Sequence, residues 1–186
     1  MRISHLLAVT LTISTGLLCP IEAASAVRLA DGKVYFIQPP SLESATTTFN
    51  NTYMWGATYY FTLKIPENAG EPLQKVTIDQ AEGVDEIGFD LKDTSAFEGT
   101  RRHKGEKISL TAIADRKQRR TLTIVFEPPV SPGKTITIAL NPLQNPRYAG
   151  IYLFGVTAFP AGDITHGQFL GFGRLHFYDR RDRFFP

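Results

Sequence analysis

Apolar and polar residues alternate with a period of two along most of the chain, and helical spacing is hard to find. Across Thr58 to Ile65, the residues Tyr59, Phe61, Leu63 and Ile65 fall on one face, with Tyr60, Thr62 and Lys64 on the other. Such alternation marks a half-buried strand. The same test predicts strands over Val34 to Gln38, Leu73 to Gln80, Ile87 to Leu91, Ile108 to Ala114, Leu122 to Phe126 and Ile136 to Leu140. Ile151 to Phe159 is apolar on both faces, which predicts a central strand covered from both sides. A last strand, Gln168 to Tyr178, follows the loop Pro160 to Gly167.

The breaks between these runs carry turn chemistry: Pro39-Pro40, Pro66 to Gly70, Pro128 to Gly133, and Asn141-Pro142 through Asn145-Pro146. Proline at a strand end removes no ladder hydrogen bond, so these prolines read as punctuation. Eight to ten short strands at close spacing predict an all-β fold, an antiparallel β-sandwich of immunoglobulin-like arrangement. No internal repeat and no second domain are visible.

The first residues change the picture of where this fold works. Met1-Arg2 begins a segment whose apolar run, Leu6 to Leu18, is followed by Ala24-Ser25-Ala26. That order predicts a secretory signal peptide over residues 1–26, cleaved before Val27. The run is too short and too rich in Ser and Thr for a membrane anchor. Leu18 before Cys19 and Pro20 after it argue against a lipid-modified cysteine. Cleavage leaves about 160 residues, one domain's worth of chain. The expected mature protein is then a single sandwich over residues 27–178 with a charged and aromatic tail at 179–186, and it contains no cysteine for disulfide, metal or thiol chemistry. Export places it in the periplasm or outside the cell.

Charge excludes rather than assigns. With twenty basic and eighteen acidic residues the formal net charge is +2, which gives no reason to expect a nucleic-acid or acidic-membrane partner. Two basic clusters stand out, Arg101-Arg102-His103-Lys104 and Arg116-Lys117-Gln118-Arg119-Arg120. Both read first as solvated loop tips that keep β-edges soluble. Contact with an anionic envelope polymer is the sharper alternative.

Candidate chemistry is sparse. The segment Gly171-Phe-Gly-Arg-Leu-His-Phe-Tyr178 begins like a phosphate-binding loop, but His176 stands where a dinucleotide fingerprint needs its third glycine. As a strand it puts Phe169, Gly171, Gly173, Leu175 and Phe177 on one face, and Arg174, His176 and Tyr178 on the other. Glycine within a strand marks a bulge or a close approach by a neighbour. The three histidines after residue 26 are His103, His166 and His176; in an extended chain the last two lie on the order of 30 Å apart. No metal ligand set, cofactor or catalytic residue is assigned, since Gly-x-Ser-x-Gly is absent and the turn carboxylates single out no pair. The candidate binding residues are Tyr53, Trp55 and Tyr60, with Arg174 and His176. Trp and Tyr on a loop can stack on sugars or anchor a partner, yet a Trp here more often plugs the end of a sandwich core.

The strings "ATYYFTLKIPENAGEPLQKVTIDQ", "FEPPVSPGKTITIAL" followed by "NP", and "GIYLFGVTAFPAG" with "LGFGRLHFY" together resemble the cyanobacterial exported family known only as domain of unknown function 2808, over about residues 33 to 178. The resemblance implies a signal peptide and a β-rich domain, and it supplies no activity, cofactor or site residue. The expectation is therefore a non-enzymatic binding or envelope-associated sandwich with a protein or polymer partner. A carbohydrate-binding module is the alternative, and periplasmic copper handling comes third.

Overall fold

The computed structural model describes residues 27–28, 32–114 and 120–179; the expected signal peptide, most of the second basic cluster and the tail after Asp179 lie outside them. The described residues form twelve strands and no helix: β1 Val27–Arg28, β2 Val34–Tyr35, β3 Ser41–Thr47, β4 Tyr59–Lys64, β5 Leu73–Glu82, β6 Phe89–Thr100, β7 His103–Ile108, β8 Leu110–Ala114, β9 Thr121–Val130, β10 Thr135–Pro142, β11 Gly150–Pro160 and β12 Gln168–Phe177. Two five-stranded antiparallel sheets, ordered β3-β4-β10-β6-β7 and β12-β11-β5-β9-β8, make up the sandwich. The pair β1-β2 forms a separate ribbon.

Alternation drives the packing. Phe61 and Leu63 of β4 and Ile136, Ile138 and Leu140 of β10 are fully buried, as are Val76 of β5, Ile124 and Phe126 of β9 and Val156 of β11. Each comes from the inward face of its strand, so burial of these side chains sets the register. The aromatic centre is Phe61 against Phe154, with ring centroids 5.7 Å apart, flanked by Tyr59 and Phe177.

The strand order defines the class. An immunoglobulin sandwich has sheets A-B-E-D and G-F-C. Here β3-β4-β10-β6 and β12-β11-β5 reproduce those orders in chain sequence, and β7, β8 and β9 are inserted between the fourth and fifth strands. A second signature agrees. Tyr152 lies near the start of β11, the strand equivalent to F, and donates its hydroxyl to Tyr148 O at 3.0 Å, the tyrosine corner of this fold.

Several details differ from the alternation reading. Ile108 to Ala114 is two strands, since the chain leaves one sheet at Ser109 and joins the other. Strand β9 runs through Pro128 and Pro129, which fall in a gap of the β5-β9 register between Lys75–Val125 and Leu73–Val130. Neither proline breaks a paired position. The outward face of β11 is not covered by another layer: Ile151 is exposed, and Phe159 is capped by Lys75, whose Nζ stands 4.1 Å from the ring centroid. In β12 a bulge leaves Leu170 without a partner between Phe169 and Gly171, where φ is +120°. The bulge shifts the alternation, so Phe169 joins Phe172 on the outer face while Gly173, Leu175 and Phe177 stay inside. Gly173 is needed for close approach: a Cβ there would lie 2.7 Å from Ala45 Cβ and 2.8 Å from Phe61 Cε1.

Candidate functional site

One end of the sandwich is built from the β3-β4 loop, the β10-β11 loop and the last residues of β12. The β3-β4 loop is pinned by its backbone. Thr52 N donates to Tyr178 O at 3.0 Å, and Tyr178 N donates to Asn50 O at 2.8 Å. Tyr53 N donates to Pro146 O at 3.1 Å, and Asn145 N donates to Met54 O at 2.8 Å. Asn145, itself buried, completes the clamp through its side chain: Oδ1 accepts from the Tyr59 hydroxyl at 2.9 Å, while Nδ2 donates to Phe49 O at 3.0 Å and Asn51 O at 2.8 Å. Burial also drives the Tyr59 hydroxyl far above its ordinary pKa, with Tyr152 adding to the shift. It therefore acts as a fixed donor.

This clamp decides where the aromatics point. Trp55 is 69% exposed, so the expected core-plug role is corrected: the loop is tied down through its backbone and Asn145, leaving the indole in solvent. Tyr53, 58% exposed, holds φ at +58°, an unusual conformation for a bulky residue. Gln144 Nε2 donates to the Tyr53 carbonyl at 3.2 Å, so both backbone groups of this residue are held by the β10-β11 loop. That loop adds an exposed Tyr148 beneath Arg147, whose Cζ lies 5.9 Å from the ring centroid.

Arg147 is anchored by Asp85 from the β5-β6 loop. Its backbone N–H donates to Asp85 Oδ2 at 2.6 Å and its Nη2 to Oδ1 at 3.0 Å. Burial pushes the Asp85 carboxyl up, but the hydrogen bonds and charge of Arg147 outweigh it and hold the pKa below the usual carboxylate value. The same hydrogen bond and charge raise that of Arg147.

The other candidates stand in different relations to this end. His176 stacks on Tyr178 with ring centroids 4.3 Å apart, and its Nδ1 meets the Tyr178 hydroxyl at 3.1 Å. It thus adjoins the Tyr53 loop through Tyr178. Arg174 is exposed two residues back on the same face of β12. Tyr60 is not part of the group: it is 9% exposed on the outer face of the other sheet, under Arg101 and Lys104. His103 lies in β7 and His166 stacks on Tyr35 at 4.8 Å, so the three histidines occupy separate elements. Among the described residues no group of three His, Cys, Asp or Glu could hold a metal ion. No helix among them is long and apolar enough to cross a membrane. Alternation and aromatic content missed Asn145, Arg147 and Tyr148; the paired Asn-Pro steps at 141 and 145 were the available signal.

The strand order, the tyrosine corner and the clamped loops define an immunoglobulin-like β-sandwich that presents aromatic side chains at one end. Over residues 33–177 the chain matches the family described as "Protein of unknown function (DUF2808)", and it belongs to that family. Among curated proteins none matches its sequence. Solved structures similar to it include the collagen-binding domain from a Staphylococcus aureus adhesin, at 11% identity and TM-score 0.36, covering 70% of this chain and 93% of that one. Another is the C-terminal domain of the Streptococcus pyogenes antigen I/II-family protein AspA, at 12% identity and TM-score 0.41, covering 72% of this chain and 46% of that one. A cohesin module from a Clostridium perfringens family 33 glycoside hydrolase matches at 10% identity and TM-score 0.34, covering 75% and 99%. The chain spans about half the length of the AspA domain. At these scores the fold assignment rests on this chain's own strand order.

Proposed function

We propose that this chain is an exported, non-enzymatic binding domain that engages a protein or polymer partner through the Tyr53-Trp55 end of the sandwich. The observation that carries the reading is Tyr53: an exposed aromatic held at positive φ, with its N–H and C=O both bonded to the β10-β11 loop. Backbone strain of this kind costs about 1–3 kcal/mol and persists where the surroundings impose it, often at ligand sites. A rigid aromatic loses little freedom on binding, so the clamp favours affinity. The signal-peptide pattern and the resemblance to a cyanobacterial exported family support action in the periplasm or outside the cell.

A carbohydrate is the second reading, favoured by an exposed Trp and Tyr on one loop, which offer flat faces for sugar rings. Trp55 is the only tryptophan in the sequence, so its fluorescence reports directly on this loop. Mild crosslinking in the native envelope should capture a partner with the wild type and lose it with Trp55→Ala, while the circular dichroism spectrum is unchanged. Equal capture by the variant defeats the reading. A shift of Trp55 emission on adding a neutral polysaccharide selects the carbohydrate, and a silent glycan array with a folded protein removes it.

A further inference from the structure

The first basic cluster is exposed at the tip of the β6-β7 hairpin, as a solvated loop tip is, and its Arg101 and Lys104 side chains also reach back onto the sheet. At Gly99 φ is +90° and a Cβ would lie 2.3 Å from His103 O, so only glycine permits the curl that starts the β6-β7 hairpin. The curled arm lies back over the outer face of its sheet. Thr137 Oγ1 donates to Gly99 O at 2.7 Å, and Lys134 Nζ pairs with Glu98 at 2.8 Å. The Arg101 guanidinium covers Tyr60, with Cζ 5.0 Å from the centroid, and donates from Nη1 to Thr47 O at 3.2 Å. Lys104 stands 5.1 Å from the Phe97 ring. Arg101 therefore reaches from the β6-β7 turn to the far edge strand, β3.

Between this arm and β3 lies a groove of about 690 Å³, within the roughly 300–1,000 Å³ of ligand sites. Lys64, Arg101 and Arg102 line it, with one carboxylate, Glu43, which accepts from Ser41 on the rim. Neither Lys64 nor Arg102 has an ion-pair partner among the described residues. The remaining lining is hydroxyl, including Ser44, Thr46, Thr62 and Thr100, and contains no apolar residue.

We propose that this groove binds a linear acidic polysaccharide, with Lys64 and Arg102 meeting its carboxylate or sulfate groups and the Ser and Thr hydroxyls meeting its sugar hydroxyls. A guanidinium fork fits either oxyanion through two parallel hydrogen bonds, and hydroxyls both donate and accept as sugars do. A single-stranded nucleic acid would use exposed aromatic faces for its bases, but Tyr60 is capped by Arg101. A membrane surface would need apolar side chains to insert, and the lining has none.

The test uses polygalacturonate and dextran sulfate as the carboxylate and sulfate probes, with neutral dextran, oligo(dT) and phosphatidylglycerol vesicles as the contrasts. The wild type is expected to bind at least one acidic polymer, more weakly as salt rises, and the tighter polymer identifies the acidic group. The double variant Lys64→Gln/Arg102→Gln should bind about tenfold or more weakly, with an unchanged melting temperature because neither side chain supports the fold. The proposal is overturned if neither acidic polymer binds, if the double variant binds as the wild type does, or if dextran, oligo(dT) or vesicles bind as tightly through the same two residues. Trp55→Ala should leave this binding intact, which separates failure of the groove from failure of the loop-end reading.

Discussion

Asn145→Ala tests whether the loop platform is a built structure or a chance arrangement of surface aromatics. The substitution deletes three side-chain hydrogen bonds: the acceptor for the Tyr59 hydroxyl and the donors to Phe49 O and Asn51 O. The Tyr59 hydroxyl belongs to a fully buried residue, so leaving it unpaired costs about 1–3 kcal/mol. The two carbonyls are nearer solvent and each lose about 0.5–1 kcal/mol. The sum is about 3 kcal/mol, a large fraction of the stability of one domain. Urea unfolding followed by circular dichroism measures it, and Trp55 emission shows whether the loop has come loose. The companion variant Tyr59→Phe removes the stranded donor. In that background Asn145→Ala should cost only about 1–2 kcal/mol, leaving a coupling of about 1–2 kcal/mol between the sites. A cost below about 1 kcal/mol for Asn145→Ala, or additive single effects, refutes the clamp.

Three other outcomes follow from the packing. Gly173→Ala places a methyl 2.7 Å from Ala45 Cβ and 2.8 Å from the Phe61 ring, and it should destabilise by about 1–3 kcal/mol through overpacking; a neutral effect in chemical unfolding would contradict the tight approach. Tyr152→Phe removes the hydroxyl donated to Tyr148 O and should cost about 1 kcal/mol by the same measurement, with no change expected at Lys64 or Arg102. Asp85 has a lowered folded-state pKa, so its contribution is complete above the unfolded value of about 3.9 and is lost as pH falls through the folded value. The stability gap between wild type and Asp85→Asn should therefore shrink as pH falls from about 5 to about 2; a gap that widens would reverse the sign of the argument.

How much was legible in the sequence depended on whether burial or pairing holds each element. Strands β4, β5, β10 and β11 carry alternating apolar side chains into the core, and the period of two finds them. Strand β7 exposes every residue except the partly buried Ile108 and is held by its pairing with β6. Its sequence, HKGEKI, therefore looks like a charged loop. Ile108, Leu110 and Ala112 keep their alternation across the point where the chain changes sheets, since both sheets bury them against the same core. Periodicity cannot show that crossing. The Gly-Phe-Gly strand was readable as scaffold, but the bulge at Leu170 that turns Phe169 outward depends on pairing with β11. Trp55 was the hardest case. Its exposure is decided by Asn145 and Pro146, about ninety residues later, and no local pattern encodes that clamp.

The aromatic centre bears on how this sandwich can do without a disulfide. Immunoglobulin domains of antibodies join strands B and F by a buried cystine, with the corner tyrosine two residues before its second cysteine. Here Phe154 stands two residues after Tyr152 and packs on Phe61 of β4, the strand equivalent to B. Around that pair Tyr59 and Phe89, from the same sheet as Phe61, meet Phe154 of the other sheet at 6.1 Å and 6.4 Å, both near edge-to-face. Such pairs contribute about 0.5–1.5 kcal/mol each beyond their buried area, so a few of them match the roughly 2–4 kcal/mol of a typical disulfide. The only cysteine in the sequence, Cys19, lies before the described residues. Dispersion and ring electrostatics thus hold the two sheets where a cystine would, and stability between residues 32 and 179 should be indifferent to reducing agent.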